Sequence, residues 1–203
     1  MQSVVTSTIP GSRGTVAAQT TSDEALLQAI STGDRSAMHT LYSRHHVRVS
    51  HFVLRMMRDV SAAEDLVSQV FLDVWRTAGQ FEGRSQVSTW LLSIARFKAL
   101  TALRQRKYED IDQADVLEIA DDADTPEDSL DRSKTGAILR ACVAKLSPAH
   151  REIVHLVYYH EKSVEEVAGI IGIPASTVKT RMFYARKQLA DLLRSAGVDC
   201  LAA

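Results

Sequence analysis

Ser163 to Leu193 reads SVEEVAGIIGIPASTVKTRMFYARKQLADLL. Ser163 has the chemistry of a helix N-cap, and Glu166, three residues on, completes a capping box. Val164, Val167, Ala168 and Ile171 follow as a short apolar stripe, and Gly172 stops the helix because glycine tolerates a left-handed turn. Ile173-Pro174-Ala175-Ser176 restarts the chain into a longer helix. Short helix, glycine turn and second helix together predict a helix-turn-helix. Unrolled at about 100° per residue, the second helix places Val178, Met182, Ala185, Leu189 and Leu192 on a buried stripe. Ser176, Thr180, Phe183, Tyr184 and Lys187 fall opposite, with Thr177 at the helix start; Lys179 and Arg186 flank one side and Arg181 the other. Cations that hold phosphates beside side chains that reach base edges suit a major groove. A surface helix with a solvated cationic face would share the charge but not the turn chemistry.

The rest of the chain agrees in sign. The 203 residues carry 24 Lys and Arg against 25 Asp and Glu. Eleven of those acids lie between Glu109 and Asp131, where there is no Lys or Arg. The remainder is therefore basic, with 14 acids against 24 bases, and this asymmetry points to a nucleic-acid partner. No run of 18 apolar residues offers a membrane span, and the N-terminus lacks a signal-peptide pattern, so a cytoplasmic protein is expected. Cys142 and Cys200 imply no disulfide framework; a redox-sensing thiol is the weaker alternative.

No stretch alternates with period two long enough for a strand, so the chain reads as all-α, two small helical domains joined by an acidic flexible linker. Residues 1–21 are read as a disordered tail, 22–107 as the first domain, 108–131 as the linker, 132–195 as the second domain and 196–203 as a tail. Ser22-Asp23-Glu24 opens the first helix and Gly33 follows it. A second helix is predicted from Arg35 to Arg58, with His39, His45, His46 and His51 as surface or partly packed residues rather than metal ligands. A capping box at Ser61 and Glu64 starts a third helix, Ala62–Thr77. Its apolar residues Leu66, Val67, Val70, Phe71, Val74 and Trp75 cover a wide arc, which fits either a central bundle helix or one that also meets a partner. After a loop from Gly79 to Gln86, a cationic helix is expected from Val87 to Lys107, with Trp90 and Phe97 assigned to its core stripe. Ser147-Pro148 begins the helix that leads to the helix-turn-helix. No phosphate-binding glycine loop, nucleophile elbow or metal-ligand spacing is present, so neither an enzyme, a cofactor nor a metal is expected. His150, His155 and His160 recur every five residues, which turns each by about 140° and keeps them off a common helical face.

Glu64 to Trp75 and Ser88 to Arg96 resemble region 2 of bacterial RNA polymerase sigma factors. Leu146-Ser147-Pro148, Ser163 to Ala168, Ser176 to Arg181 and Ala185-Arg186 resemble region 4. With no region 1 or full region 3, the chain resembles an extracytoplasmic-function (ECF) sigma factor of the sigma-70 family over residues 22–195. The resemblance implies a stress-responsive factor that directs core RNA polymerase to specific promoters under the control of an anti-sigma factor. It implies that Asp65, Leu66, Gln69, Leu72, Asp73 and Arg76 meet the β′ clamp helices, and that the helix-turn-helix also meets the β flap. It assigns the −10 element to Phe81, Arg84, Ser85, Trp90, Arg96, Phe97, Lys98 and Arg104. It assigns the −35 element to Ser176, Thr177, Lys179, Thr180, Arg181, Phe183, Tyr184, Arg186 and Lys187. One position departs: the family commonly has Asn after Ile-Ala-Arg, and here it is Phe97, so family rules for −10 sequence preference do not carry over. The competing reading is a dimeric helix-turn-helix regulator that acts without polymerase.

Overall fold

The computed structural model describes residues 21–109 and 134–198, so the acidic linker and both terminal tails fall outside the described residues. Eight α-helices are present among the described residues: α1 (Asp23–Ser31), α2 (Arg35–Met57), α3 (Val60–Thr77), α4 (Val87–Glu109), α5 (Lys134–Ala144), α6 (Pro148–Val154), α7 (Val164–Ile171) and α8 (Ala175–Ser195). No strand occurs among them.

Local chemistry sets most boundaries. The Ser22 hydroxyl accepts the Ala25 N–H, and Asp34 accepts from Ser36 and Ala37 to cap α2. The capping box expected at Ser61 and Glu64 does not form. Asp59 caps α3 instead, accepting the Ala62 N–H at 3.0 Å, and the helix starts two residues early at Val60. The Asp59 carboxylate also takes Arg106 of α4 at 2.8 Å, which fixes the cap from outside the helix. Ser147 accepts the His150 N–H with Pro148 in the first turn of α6, as the Ser-Pro pair predicts. The helix Pro148–Tyr159 is not uniform: its last five residues, His155–Tyr159, form a π-helical turn.

Helices α1 to α4 make the first bundle. Leu41 of α2, Val70 and Val74 of α3 and Leu91 of α4 are fully buried at its centre. Along α3, Leu66, Val67, Val70, Phe71 and Val74 are all buried, so the wide apolar arc is that of a central bundle helix. Leu72 is left to solvent, 46% exposed, as is Val60 in the first turn, 55% exposed. The expectation for α4 is corrected. Its core face is Val87, Leu91, Ala95 and Ala99; Trp90 packs against that core half-buried, as expected in part, but Phe97 is 72% exposed. Two alanines at the contact let the helix backbones approach closely. Sequence reading passed over them because the larger rings carried more apparent hydrophobicity.

The two helical halves are packed on each other and share apolar core. Ile153 and Leu156, with Val167 and Ile170 of α7, join the first bundle's core cluster. Polar contacts ring this seam. Thr89 of α4 donates its hydroxyl to the Glu166 carboxylate of α7. Lys162, buried, donates to Ser88 at 2.6 Å and to Glu166 at 3.1 Å. Arg96 holds Glu152 at 2.7 Å, and Tyr159 bonds the His51 ring at 2.9 Å. Burial pushes the Glu166 carboxyl up, but Thr89, the Ser163 N–H and Lys162 outweigh it and hold it at about 2.

His160 lies buried in the seam, its ring edge-on to Phe52, with no hydrogen-bond partner for Nε2. Burial, with Arg55, Arg48, His51 and Lys162 nearby, lowers its pKa from 6.5 to about 4. A histidine held neutral in the fold stabilises it fully above pH 6.5, and that contribution is lost as pH falls through 6.5 toward 4. Stability is expected to drop by roughly 3 kcal/mol across this window. Urea midpoints at stepped pH measure it, and a His160→Phe variant should flatten the profile there. An unchanged profile would assign the acid sensitivity elsewhere.

Candidate nucleic-acid interface

The capping box of α7 forms in both directions: Ser163 accepts the Glu166 N–H, and Glu166 accepts the Ser163 N–H. Gly172 takes φ 76°, the left-handed conformation the turn requires. Val178, Met182 and Ala185 bury α8 against α6 and α7, with Leu189 and Leu192 partly buried beyond them. Every residue on the opposite side is open. Ser176, Lys179, Thr180, Arg186 and Lys187 are exposed, and Thr177 and Arg181 are half-buried at the edges. Phe183 and Tyr184 are 64% and 54% exposed and pack edge to face on each other, 5.4 Å between centroids. A projecting aromatic pair is unusual on a helix that only meets water.

Tyr158 belongs to this face and was missed by sequence reading. The π turn adds a residue to the helical repeat, which swings Tyr158 outward while Tyr159 stays against His51. The Tyr158 hydroxyl accepts the Arg186 Nε–H at 2.7 Å, and the guanidinium lies over its ring at 5.6 Å. Arg186 is thereby aimed rather than left to wander. A regular helical period could not have paired them.

The second cationic surface is on α4 and the loop before it. Arg84 and Ser85 are exposed in the loop, and Arg84 meets Glu82 at 2.6 Å. Phe81 packs on Trp90 with centroids 5.3 Å apart. Phe97 and Arg104 stand exposed further along α4. Besides Arg84, two more cations of this set are engaged: Arg96 with Glu152 and Lys98 with Asp73, both at 2.7 Å. On α3, Asp65, Gln69, Leu72 and Arg76 share one exposed line, whereas Leu66 is in the bundle's own core and Asp73 is tied to Lys98. Leu66 serves mainly the core and reaches the surface only as part of the lining of the groove between α3 and α4.

Residues 41–108 match the Sigma-70 region 2 family model, and residues 136–189 match Sigma-70, region 4. The chain belongs to the ECF group of sigma-70 family RNA polymerase sigma factors.

The sigma factor is 34% identical over 161 residues to the RNA polymerase sigma factor CarQ of Myxococcus xanthus, covering 79% of this chain and 91% of CarQ. It is 27% identical over 187 residues to the RNA polymerase sigma-H factor of Pseudomonas aeruginosa, covering 86% and 97% of the two chains. Among solved structures it resembles the sigma factor RpoE from Bartonella quintana in complex with the anti-sigma factor NepR. That match has a TM-score of 0.63 at 26% identity and covers 77% of this chain and 96% of RpoE. CnrH, solved with the cytosolic domain of CnrY, shares the fold at 21% identity and a TM-score of 0.62, over 85% and 97% of the two chains. These relatives are transcription initiation factors rather than enzymes. The sigma factor thus acts with core RNA polymerase on promoter DNA, and the match to both regions sets aside the dimeric regulator. Among the described residues no helix is long and apolar enough to cross a membrane.

Proposed function

We propose that the sigma factor divides promoter reading between its halves, α8 taking the −35 element and the Phe81-to-Arg104 surface taking the −10 element. The exposed face of α8 supports this most directly. Short polar side chains sit near its start, an aromatic pair at its middle, and Arg186 is oriented by Tyr158. Base edges and phosphates are reached by such an arrangement. The exposed line Asp65-Gln69-Leu72-Arg76 on α3 is the surface offered to the β′ clamp helices. Asp65 and Gln69 also flank an open groove of about 210 Å³ closed on its other side by Ala102 and Gln105 of α4. The back of the helix-turn-helix is the part offered to the β flap. An anti-sigma factor is the expected regulator, since the RpoE match is to a complex with one.

Run-off transcription tests this reading. The sigma factor alone is expected to hold promoter DNA weakly, and promoter-specific transcripts should appear once core polymerase is added. Absence of any transcript from promoters upstream of its own operon would count against it. Replacing Asp65 and Gln69 with alanine should cut retention of core polymerase by about tenfold or more, as truncated polar anchors do at interfaces, with helix content unchanged. Normal pull-down of core by the double variant would move the docking surface elsewhere.

A further inference from the structure

His160 is a titratable side chain placed where the two halves meet. It comes from the second half, between the π turn and α7, and is 3% exposed. Its ring stands edge-on to Phe52 of α2, with centroids 5.5 Å apart, and its Nε2 has no hydrogen-bond partner. The void beside it is about 10 Å³, room for roughly one water. Helix α4 walls that void with uncharged side chains only, Ser88, Leu91 and Leu92. Helix α2 brings His45, Arg48, His51 and Arg55 to the same place, and Lys162 joins them from the second half. The neighbouring ionisable groups are engaged: Asp23 with Arg44 and His45, Glu166 with Lys162, Tyr159 with His51 and His155 with Arg55. A proton on His160 would therefore find no acceptor at Nε2, a single water at most, and two arginines that belong to the opposite half.

A buried charge so placed is costly. Parting relieves it, because the arginines ride on α2 while His160 leaves with the second half and meets water. We propose that His160 is an acid-operated latch on the seam: its protonation parts the two halves while each stays folded. The direction follows from linkage. Closed, the ring is held at about 4; parted, it regains an ordinary value near 6.5, so the parted state binds the proton and acid favours it. Between pH 7.5 and 5.5 the ratio of parted to closed molecules rises about tenfold. The step to polymerase binding rests on the proposed division of promoter elements, which needs the halves apart.

Two readouts on the full chain test it. The first is thiol labelling with Cys142 and Cys200 replaced by serine. Thr89 is buried and bonds Glu166 of the other half, so the thiol of Thr89→Cys reports parting by its labelling rate relative to the same chain in urea. Its protection should fall about tenfold from pH 7.5 to 5.5. With His160→Phe, or His160→Gln where the ring swap disturbs folding, protection should hold constant over that step. His160→Lys, which fixes a cation there, should label fast already at pH 7.5. Val74→Cys, at the fully buried centre of the first bundle, should stay better protected throughout. The second readout is binding to core polymerase, whose affinity should gain about tenfold over the same step in the wild type and not in His160→Phe. Protection that stays constant in the wild type, or falls equally in His160→Phe and His160→Gln, overturns the latch. So does Thr89→Cys labelling no faster than Val74→Cys, since the chain then unfolds rather than parts. If protection falls through His160 and polymerase affinity does not follow, the latch stands and the division of promoter elements falls.

Discussion

Replacing Lys179 and Thr180 together with alanine is expected to lower −35-dependent promoter use by roughly ten- to several-hundred-fold, since each good base contact contributes about 1–3 kcal/mol of discrimination. Both side chains are exposed on α8, and neither supports the fold: the Thr180 hydroxyl only back-bonds to the Ser176 carbonyl at 3.0 Å. Thermal stability should therefore stay near wild type. Single-round transcription from a promoter with an intact −35 element, set beside the same promoter with that element scrambled, separates reading from general DNA affinity. Equal activity on both templates in the wild type, or unchanged selectivity in the double variant, would place the reading face elsewhere. Arg186→Ala should behave differently and weaken all sequences alike, because a guanidinium steadied by Tyr158 serves a phosphate better than a base edge.

Glu166→Ala should produce the largest loss of stability among substitutions in the seam. One carboxylate closes the capping box of α7, accepts the Thr89 hydroxyl across the seam and neutralises buried Lys162. Losing the cap and leaving a buried cation short of its partner together should remove about 2–3 kcal/mol. Thr89→Val isolates the part that acts between the halves, because it deletes the cross-seam bond and leaves the cap intact. Small-angle scattering should then show a larger radius of gyration for Thr89→Val and for Glu166→Ala. Compact scattering from both would mean that the apolar seam and its other polar contacts, such as Arg96 with Glu152 and Tyr159 with His51, hold the halves together without Glu166. Acid should mimic the substitution: a carboxyl held at about 2 stabilises the fold above pH 4.5, and that support fades as pH falls from 4.5 toward 2.

Much of this molecule could be read from residue order. Ser163, Glu166 and Gly172 specify their turn by side-chain and backbone chemistry that acts within four residues, and each forms as expected. The buried and open faces of α8 follow from one clean helical period. What stayed hidden depends on contacts distant in sequence. The inner face of α4 is set by Ala95 and Ala99, whose smallness matters only once a neighbour packs there. Asp59 is itself a local cap signal, but its choice over the Ser61–Glu64 box is supported by Arg106, which arrives from another helix. The link between Tyr158 and Arg186 needed a π turn that no period reveals. The seam itself joins residues 56 to 108 apart in sequence, such as Arg96 with Glu152 and His51 with Tyr159, and pattern reading has no access to such pairs.

The seam also sets a problem of reach. Promoter elements centred about 25 base pairs apart are separated by roughly 85 Å of duplex at about 3.4 Å per step. A compact body of the described residues, 21–109 and 134–198, has a radius of gyration of only about 15 Å. With its halves packed together as here, the described body is too short to span both elements in the proposed reading. On the proposed division of the two elements, promoter reading requires the halves to part, and the free energy that closes the seam is then subtracted from the affinity for polymerase. Each 1.4 kcal/mol of closure weakens apparent binding about tenfold. Among polar contacts, those of Glu166, Lys162 and Arg96 are ones that such an opening must break.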